Sequence, residues 1–221
     1  STPYEMISEL SQICNDEKII FMSTPFSVED AKQIDPFVSL HKIASFEINH
    51  VRLIEFLSKT EKPILISTGA STFGEIDFAV NLIKNNKNNE IGLLQCTSKY
   101  PAPIESLNLS TIPKMKERYN IPIGFSDHSV EPLIGPLTAV GLGATIIEKH
   151  FTLDKNLPGP DHSFAITPEE LELMVKSIRQ ADKTKGNGKK IILNEEQELL
   201  LFAKRRIQAI KDIRKGDILK E

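Results

Sequence analysis

Six short apolar runs, separated by segments of helical period, decide what this chain can fold into. They are KIIFMST (18–24), HKIAS (41–45), PILIST (63–68), IGLLQCT (91–97), IPIGFSD (121–127) and ATIIEKH (144–150). Each is nearly continuous in apolar character rather than alternating, as expected of strands buried on both faces in a parallel sheet. Helices are predicted between and after them, over Ser27–Ile34, Asn49–Ser58, Thr72–Asn85, Leu109–Tyr119, Glu131–Leu142 and Pro168–Lys183. Thr72 with Glu75 reads as a capping box. Thr167 reads as a cap, Pro168 as a first helical residue, and Glu169 and Glu170 as acids facing the positive end of the helix dipole.

Six β-then-α units predict a wound parallel sheet, either open or closed into a barrel. No strand–helix turn carries G-x-G-x-x-G or a P-loop, so little supports a dinucleotide-binding open sheet. Polar residues instead gather at the C-terminal ends of nearly every run: Ser23 and Thr24, Ser45 and Glu47, Ser67 and Thr68, Thr97 and Ser98, Ser126 to His128, Glu148 to His150. A site assembled from many strand ends is what a TIM-type (β/α) barrel mouth provides. The expected fold is therefore such a barrel, two strands short of eight.

Both ends read as cut. Residues 5–14 are already helical in pattern, and KDIRKGDILKE stops inside a new element. After Lys183 the chain turns polar and glycine-rich. The expected division is a partial barrel over 1–184, a linker and helix over 185–206, and the first strand or two of a further domain from 207 to 221, with 196–206 helical and Gly216 at a turn.

With 27 basic and 30 acidic residues the net charge is −3, which gives no electrostatic case for nucleic acid or an anionic membrane surface. No apolar run nears the ~18 residues of a membrane span, and STPYEMISELSQICNDEK lacks the pattern of a signal peptide. Cys14 and Cys96 are too few for a disulfide framework. The expected setting is soluble, reducing and cytoplasmic.

His128 and His150 end consecutive runs, so in a parallel barrel their side chains could converge on a metal ion. Asp127, Asp161 and His162 are further donors nearby in the sequence, while Asp154 reads as a loop residue. Glu47 is an acid/base candidate, with a helix-dipole role equally open. Glu148 and Lys149 are adjacent and must face opposite ways, one of them inward, where a structural ion pair is the plain alternative. Ser67-Thr68-Gly69 and Ser126 offer donors suited to phosphate or carboxylate, though capping explains most such tripeptides. Tyr100-Pro101-Ala102-Pro103 and Pro158-Gly159-Pro160 are rigid loops beside strand ends.

The strings MSTPF, KIASFEI, ISTGAST, QCTSKYPAP, GFSDHS, IIEKHFTLDKNLPGPDH and TPEEL, in this order and spacing, resemble the sialic acid synthase family. That family comprises N-acetylneuraminate, legionaminate and pseudaminate synthases. The resemblance covers roughly residues 18–183 and continues more weakly to 221. It implies a metal-dependent condensation of phosphoenolpyruvate with an N-acetylated amino-sugar of the N-acetylmannosamine type, reacting as its open-chain aldehyde. C3 of phosphoenolpyruvate attacks the aldehyde carbon, water adds at C2, and phosphate leaves with C–O cleavage. The product is a nine-carbon 2-keto acid. By resemblance His128 and His150 match the ligands of Mn²⁺ or Mg²⁺, and Glu47 and Tyr100 match catalytic positions. Lys42, Ser67, Thr68, Ser98, Ser126 and Asp161 fall among the implied substrate-binding positions.

The departures are specific. Ser98 stands where the family often has Asn. The family's first two strands, with a catalytic glutamate and a phosphate-binding lysine, are absent. Only Arg206–Glu221 matches its C-terminal antifreeze-like domain, which reaches across a homodimer and donates an arginine to the sugar. For these 221 residues alone, weak or no synthase activity is expected. Two alternatives stand beside the synthase: an inactive homologue serving as a binding or dimerising subunit, or a related phosphoenolpyruvate-dependent sugar-acid synthase. The latter should carry more Lys and Arg at its strand ends than this chain does.

Overall fold

A short run of Ile and Leu flanked by helices buries both faces only if neighbours pair on its edges and helices cover it. In the computed structural model, which describes residues 3–218, five of the six runs meet that condition. They are β1 (His41–Ile43), β2 (Ile64–Ser67), β3 (Ile91–Cys96), β4 (Ile123–Asp127) and β5 (Ile147–Lys149). All pairings are parallel, in the order β1-β2-β3-β4-β5. The helices are α1 (Ile7–Asp16), α2 (Val28–Ile34), α3 (Val51–Ser58), α4 (Phe73–Asn85), α5 (Thr111–Tyr119), α6 (Ile134–Gly141), α7 (Pro168–Thr184) and α8 (Gln197–Phe202). The result is a parallel α/β half-barrel. Between sheet and helices lies a core that includes Ile43, Leu53, Ile54, Ile66, Leu93, Ile112, Met115 and Phe125, all essentially without solvent exposure.

The helix starts follow the local chemistry. Ser27 caps α2 by accepting from the Asp30 N–H at 3.0 Å. Thr72 and Glu75 form a reciprocal capping box on α4, as Thr167 and Glu170 do on α7. Pro168 opens α7, where its missing N–H costs nothing. Among the described residues no helix is long and apolar enough to cross a membrane.

Two expectations fail. Residues 18–24 are not a strand. The chain leaves α1 through Lys18 at φ 58°, and Ile19 and Ile20 are 59% and 72% exposed. An apolar run becomes a strand only where a neighbour completes its ladder, and among the described residues none pairs with this one. Beyond Lys185 the helix is shorter than 196–206, comprising a 3₁₀ turn at Asn194–Glu196 and α8. Residues 207–218 form no strand, with Ile207 and Ile210 fully exposed; positions 219–221 lie outside the described residues. The chain divides into two compact units, Ser1–Lys185 and Gly186–Glu221.

At the N-terminal end of β1 a small charged cluster clamps the chain. His41, fully buried, meets Asp35 Oδ1 with Nε2 at 3.0 Å, and Lys62 Nζ reaches the same oxygen at 2.8 Å. The His41 Nδ1 is buried without a partner. Burial holds the His41 pKa below its ordinary 6.5 although Asp35 opposes the shift. The Asp35 carboxyl is raised by burial but lowered more by Lys62 and His41, and ends below its ordinary 3.8. Below pH 6.5 the unfolded chain takes up a proton that folded His41 resists, so this contribution to stability is present above 6.5 and lost as pH falls. The Asp35 contribution is lost in a second window below 3.8. Urea denaturation across pH 7.5 to 4.5 should therefore show a decline beginning near pH 6.5 that His41→Gln removes; the same slope in the variant would assign it elsewhere.

Candidate active site

Side chains alternate across a strand. On β4 this sends Ser126 and His128 to the concave face and Asp127 to the helix-covered face; on β5 it sends Glu148 and His150 one way and Lys149 the other. The parallel register places Cys96 beside Ser126 and Ser126 beside Glu148. The polar strand ends therefore meet in one place.

A continuous polar chain results. Lys42 Nζ donates to Ser67 Oγ at 2.7 Å and lies 3.4 Å from Glu148 Oε2. Ser126 Oγ donates to Glu148 Oε1 at 2.6 Å and sits 3.5 Å from His128 Nε2. Lys42 is 5% exposed, and an ammonium that deep requires such partners. Although β1 and β5 are the two edges of the sheet, Lys42 and Glu148 lie within 3.4 Å, so the sheet curls enough for side chains of its edge strands to meet across the concave face.

The histidines lie side by side, ring centroids 5.3 Å apart. Tyr100 stacks on His128 at 4.1 Å and stands edge-on to His150 at 5.8 Å. Phe164, buried, meets His150 at 5.1 Å. Asp161 Oδ2 is 3.5 Å from His150 Nδ1. Cys96 Sγ lies 3.5 Å from Ser45 Oγ and 3.8 Å from His128 Nδ1.

These contacts set the titration behaviour. Burial pulls His128 down, but its contacts with Cys96 and the Thr97 carbonyl outweigh that and leave it raised. Burial pushes the Cys96 thiol up, and the contacts from His128 and Ser45 bring it below its ordinary value. Burial and the neighbouring His128 lower His150, against Asp161 and Glu148. Burial raises Tyr100, as do Cys96, Asp161 and Glu148.

The donor chemistry suits a divalent cation held by two imidazoles. His128 Nδ1 is 2.9 Å from the Thr97 carbonyl, which only accepts, so this nitrogen carries the proton and Nε2 the lone pair. The one proton of Ser126 goes to Glu148, which leaves that lone pair free. A ligand histidine with its other nitrogen tied to a carbonyl is the usual outer arrangement of a metal site. Among the described residues there is no cluster of three or more His, Cys, Asp or Glu poised around one point, so the remaining positions would fall to water or substrate.

Not every expected residue joins the chain. Thr68 Oγ1 is spent on the Leu94 carbonyl at 2.8 Å and lines a neighbouring cavity of about 780 Å³ with Ser98. Ser98 Oγ is buried without a partner. Glu47 ends a 3₁₀ turn after β1, half-buried, its carboxylate making no hydrogen bond or ion pair among the described residues. Asp127 is turned away from the histidines into an ion pair with Lys149, and His162 bonds Thr152 Oγ1 at 2.7 Å. Asp154 is a loop residue, accepting from Asn156. Sequence reading missed Cys96, Phe164 and the position of Ser45. Counting back two from Ser98 finds Cys96; no local signal marks Phe164.

A parallel α/β half-barrel with hydroxyls, a lysine, a glutamate and paired imidazoles at its strand ends has the anatomy of an enzyme mouth. The chain belongs to the NeuB family, which matches residues 1–190. It is 40% identical to pseudaminic acid synthase of Campylobacter jejuni (strain 81-176), over all of this chain and 64% of that protein. It is 40% identical to the N,N'-diacetyllegionaminic acid synthase of C. jejuni (strain ATCC 700819), over 94% of this chain and 62% of that protein. The N-acetylneuraminic acid synthetase of Leptospira borgpetersenii, solved in complex with citrate, superposes with a TM-score of 0.86 at 34% identity, covering 91% of this chain and 70% of that one. The chain thus spans under two thirds of the length of these two curated relatives.

Gly69 supports the site by being small. A Cβ there would lie 2.2 Å from Ser98 Oγ, 2.9 Å from Ser45 Oγ and 3.0 Å from Cys96 Sγ, and the Gly69 N–H donates to Ser45 at 3.0 Å. Gly69→Ala should cost about 1–3 kcal/mol in urea denaturation by overpacking. A wild-type value would show that the three side chains give way freely.

Proposed function

We propose that this chain supplies the anion-binding and cation-binding core of a synthase that condenses phosphoenolpyruvate with an N-acetylated amino-sugar to give a nine-carbon 2-keto acid and phosphate. The observation that carries the reading is the polar chain Ser67–Lys42–Glu148–Ser126–His128, a preorganised set of donors and one carboxylate at the strand ends. Family membership and the names of the relatives support it.

In this reading Lys42, Ser67 and Ser126 bind the anionic groups of phosphoenolpyruvate. The partnerless hydroxyl of Ser98 adds a donor, with Thr68 beside it. His128 and His150 would hold Mn²⁺ or Mg²⁺, which when bound supplies Lewis-acid polarisation of the sugar aldehyde. Tyr100 walls the histidines on the sugar side, and Asp161 orients the sugar. Glu47 handles the water that adds at C2. The half-barrel is part of an eight-stranded barrel, the segment after Lys185 leads into an antifreeze-like domain, and the working unit is a cytoplasmic homodimer.

A chain extended to the length of the relatives, mixed with phosphoenolpyruvate, Mn²⁺ and N-acetylmannosamine-type or diacetamido sugars, should release phosphate only when all are present, and these 221 residues alone should release little or none. His128→Ala and His150→Ala should each weaken Mn²⁺ binding roughly tenfold or more. No release with any of these sugars from the extended chain overturns the synthase reading. Unchanged Mn²⁺ affinity in both variants overturns the ligand assignment.

A further inference from the structure

Directly behind the two histidines, on the helix-covered face of the sheet, lies an ion pair that the proposed chemistry does not use. Lys149 Nζ meets Asp127 Oδ2 at 2.7 Å, with the side chains 2% and 0% exposed. The ammonium also donates to the carbonyls of Ser129 at 2.5 Å and Glu131 at 3.0 Å, and lies 3.5 Å from Ser129 Oγ. The other Asp127 oxygen accepts from the Ser129 N–H at 2.8 Å. Both ions are thus fully satisfied. Helix α6 presses on the pair: a Cβ at Gly135 would lie 3.1 Å from Asp127 Oδ2.

Stability alone gives a weak reason for such a pair, because well-packed apolar residues of similar volume do as well or better. Its position gives a stronger one. Asp127 and Lys149 are register partners on the last rung that joins β4 to β5. The next residue on each strand is an imidazole. Past that rung no ladder bond joins the two strands among the described residues; the His128 and His150 carbonyls accept from the Ala102 and Ile166 N–H groups instead, at 2.9 Å each. The ammonium bridges the gap: it ties β5 to Asp127 and to the backbone at 129 and 131, the segment that follows His128.

We propose that Lys149 and Asp127 are positioning residues that fix the separation of the two imidazoles, and so the affinity of the site for a divalent cation. This rests on the reading that His128 and His150 hold that cation. Lys149 and Asp127 touch neither cation nor substrate; they act through the strand ends.

The test uses the whole chain with Mn²⁺ alone as probe, titrated by electron paramagnetic resonance, with spin-echo modulation to count coupled imidazole nitrogens. The double variant Asp127→Leu with Lys149→Met removes both charges without stranding either. It should keep the wild-type circular dichroism and melting temperature, lose about 10–100-fold in Mn²⁺ affinity, as outer-sphere partners of metal ligands do, and show fewer than two coupled nitrogens. Lys149→Arg, which keeps the charge, should recover part of the affinity. A folded double variant with wild-type affinity and two nitrogens overturns the inference while leaving the metal site in place. Should the double variant not fold, Asp127→Asn decides by the same readouts. Absence of Mn²⁺ binding in the wild type, or wild-type binding in both histidine-to-alanine variants, removes the metal reading and this inference with it.

Discussion

Neighbouring side chains on a strand leave from opposite faces, and at the ends of β4 and β5 that period separates the polar mouth from the packing behind it. Ser126, His128, Glu148 and His150 point into the mouth; Asp127 and Lys149 point into the helix layer. The register between the two strands keeps these sets aligned. A slip of one residue would bring the ion pair into the mouth and push the imidazoles under α6, so the site depends on a register fixed by the apolar residues beneath it. Phe125 and Ile123, fully buried on β4, supply that fixation.

The second dependence is curvature. Parallel sheets twist, and here the twist carries β1 round until Lys42 reaches Glu148 on β5. The contact is asymmetric: removing Glu148 would leave the deeply buried Lys42 ammonium without its counter-charge, whereas Glu148 itself is 34% exposed and can be solvated. Glu148 therefore has two duties: it neutralises Lys42 and it accepts the proton of Ser126, which frees the nearby lone pair of His128.

Much of this was legible in the sequence because it is local. The runs ending at Ser45, Thr68, Thr97, Asp127 and His150 each hold a parallel strand, and the capping boxes at Thr72 and Thr167 form as their spacing dictates. The failures share one cause. KIIFMST has the composition of a strand but finds no ladder partner among the described residues, and pairing is decided by residues far off in the chain. The alternating stretch from 207 to 218 fails in the same way. Within the site, Asp127 looked like a donor for the histidines because sequence proximity was weighed above the strand period. Cys96 and Phe164 meet the histidines, and Ser45 meets Cys96, only through folding; Ser45 stands among the polar strand ends of the sequence, whereas no local signal marks Phe164. Glu47 and Thr68 carry the right functional groups, yet the structure leaves one without a partner and commits the other to a backbone carbonyl.

The strands pair strictly with their neighbours in the chain. That order bears on how the half-barrel assembles. Each parallel pairing closes a loop of a single βα unit, and loop-closure entropy rises only slowly with length, about 0.6 kcal/mol per doubling. Units can therefore add one after another, each rung resting on the one before. The Lys42–Glu148 contact is different: its partners lie over a hundred positions apart and meet only when the last unit has docked. The charges that meet in the mouth are thus among the final contacts to form, and they play little part in building the framework that holds them.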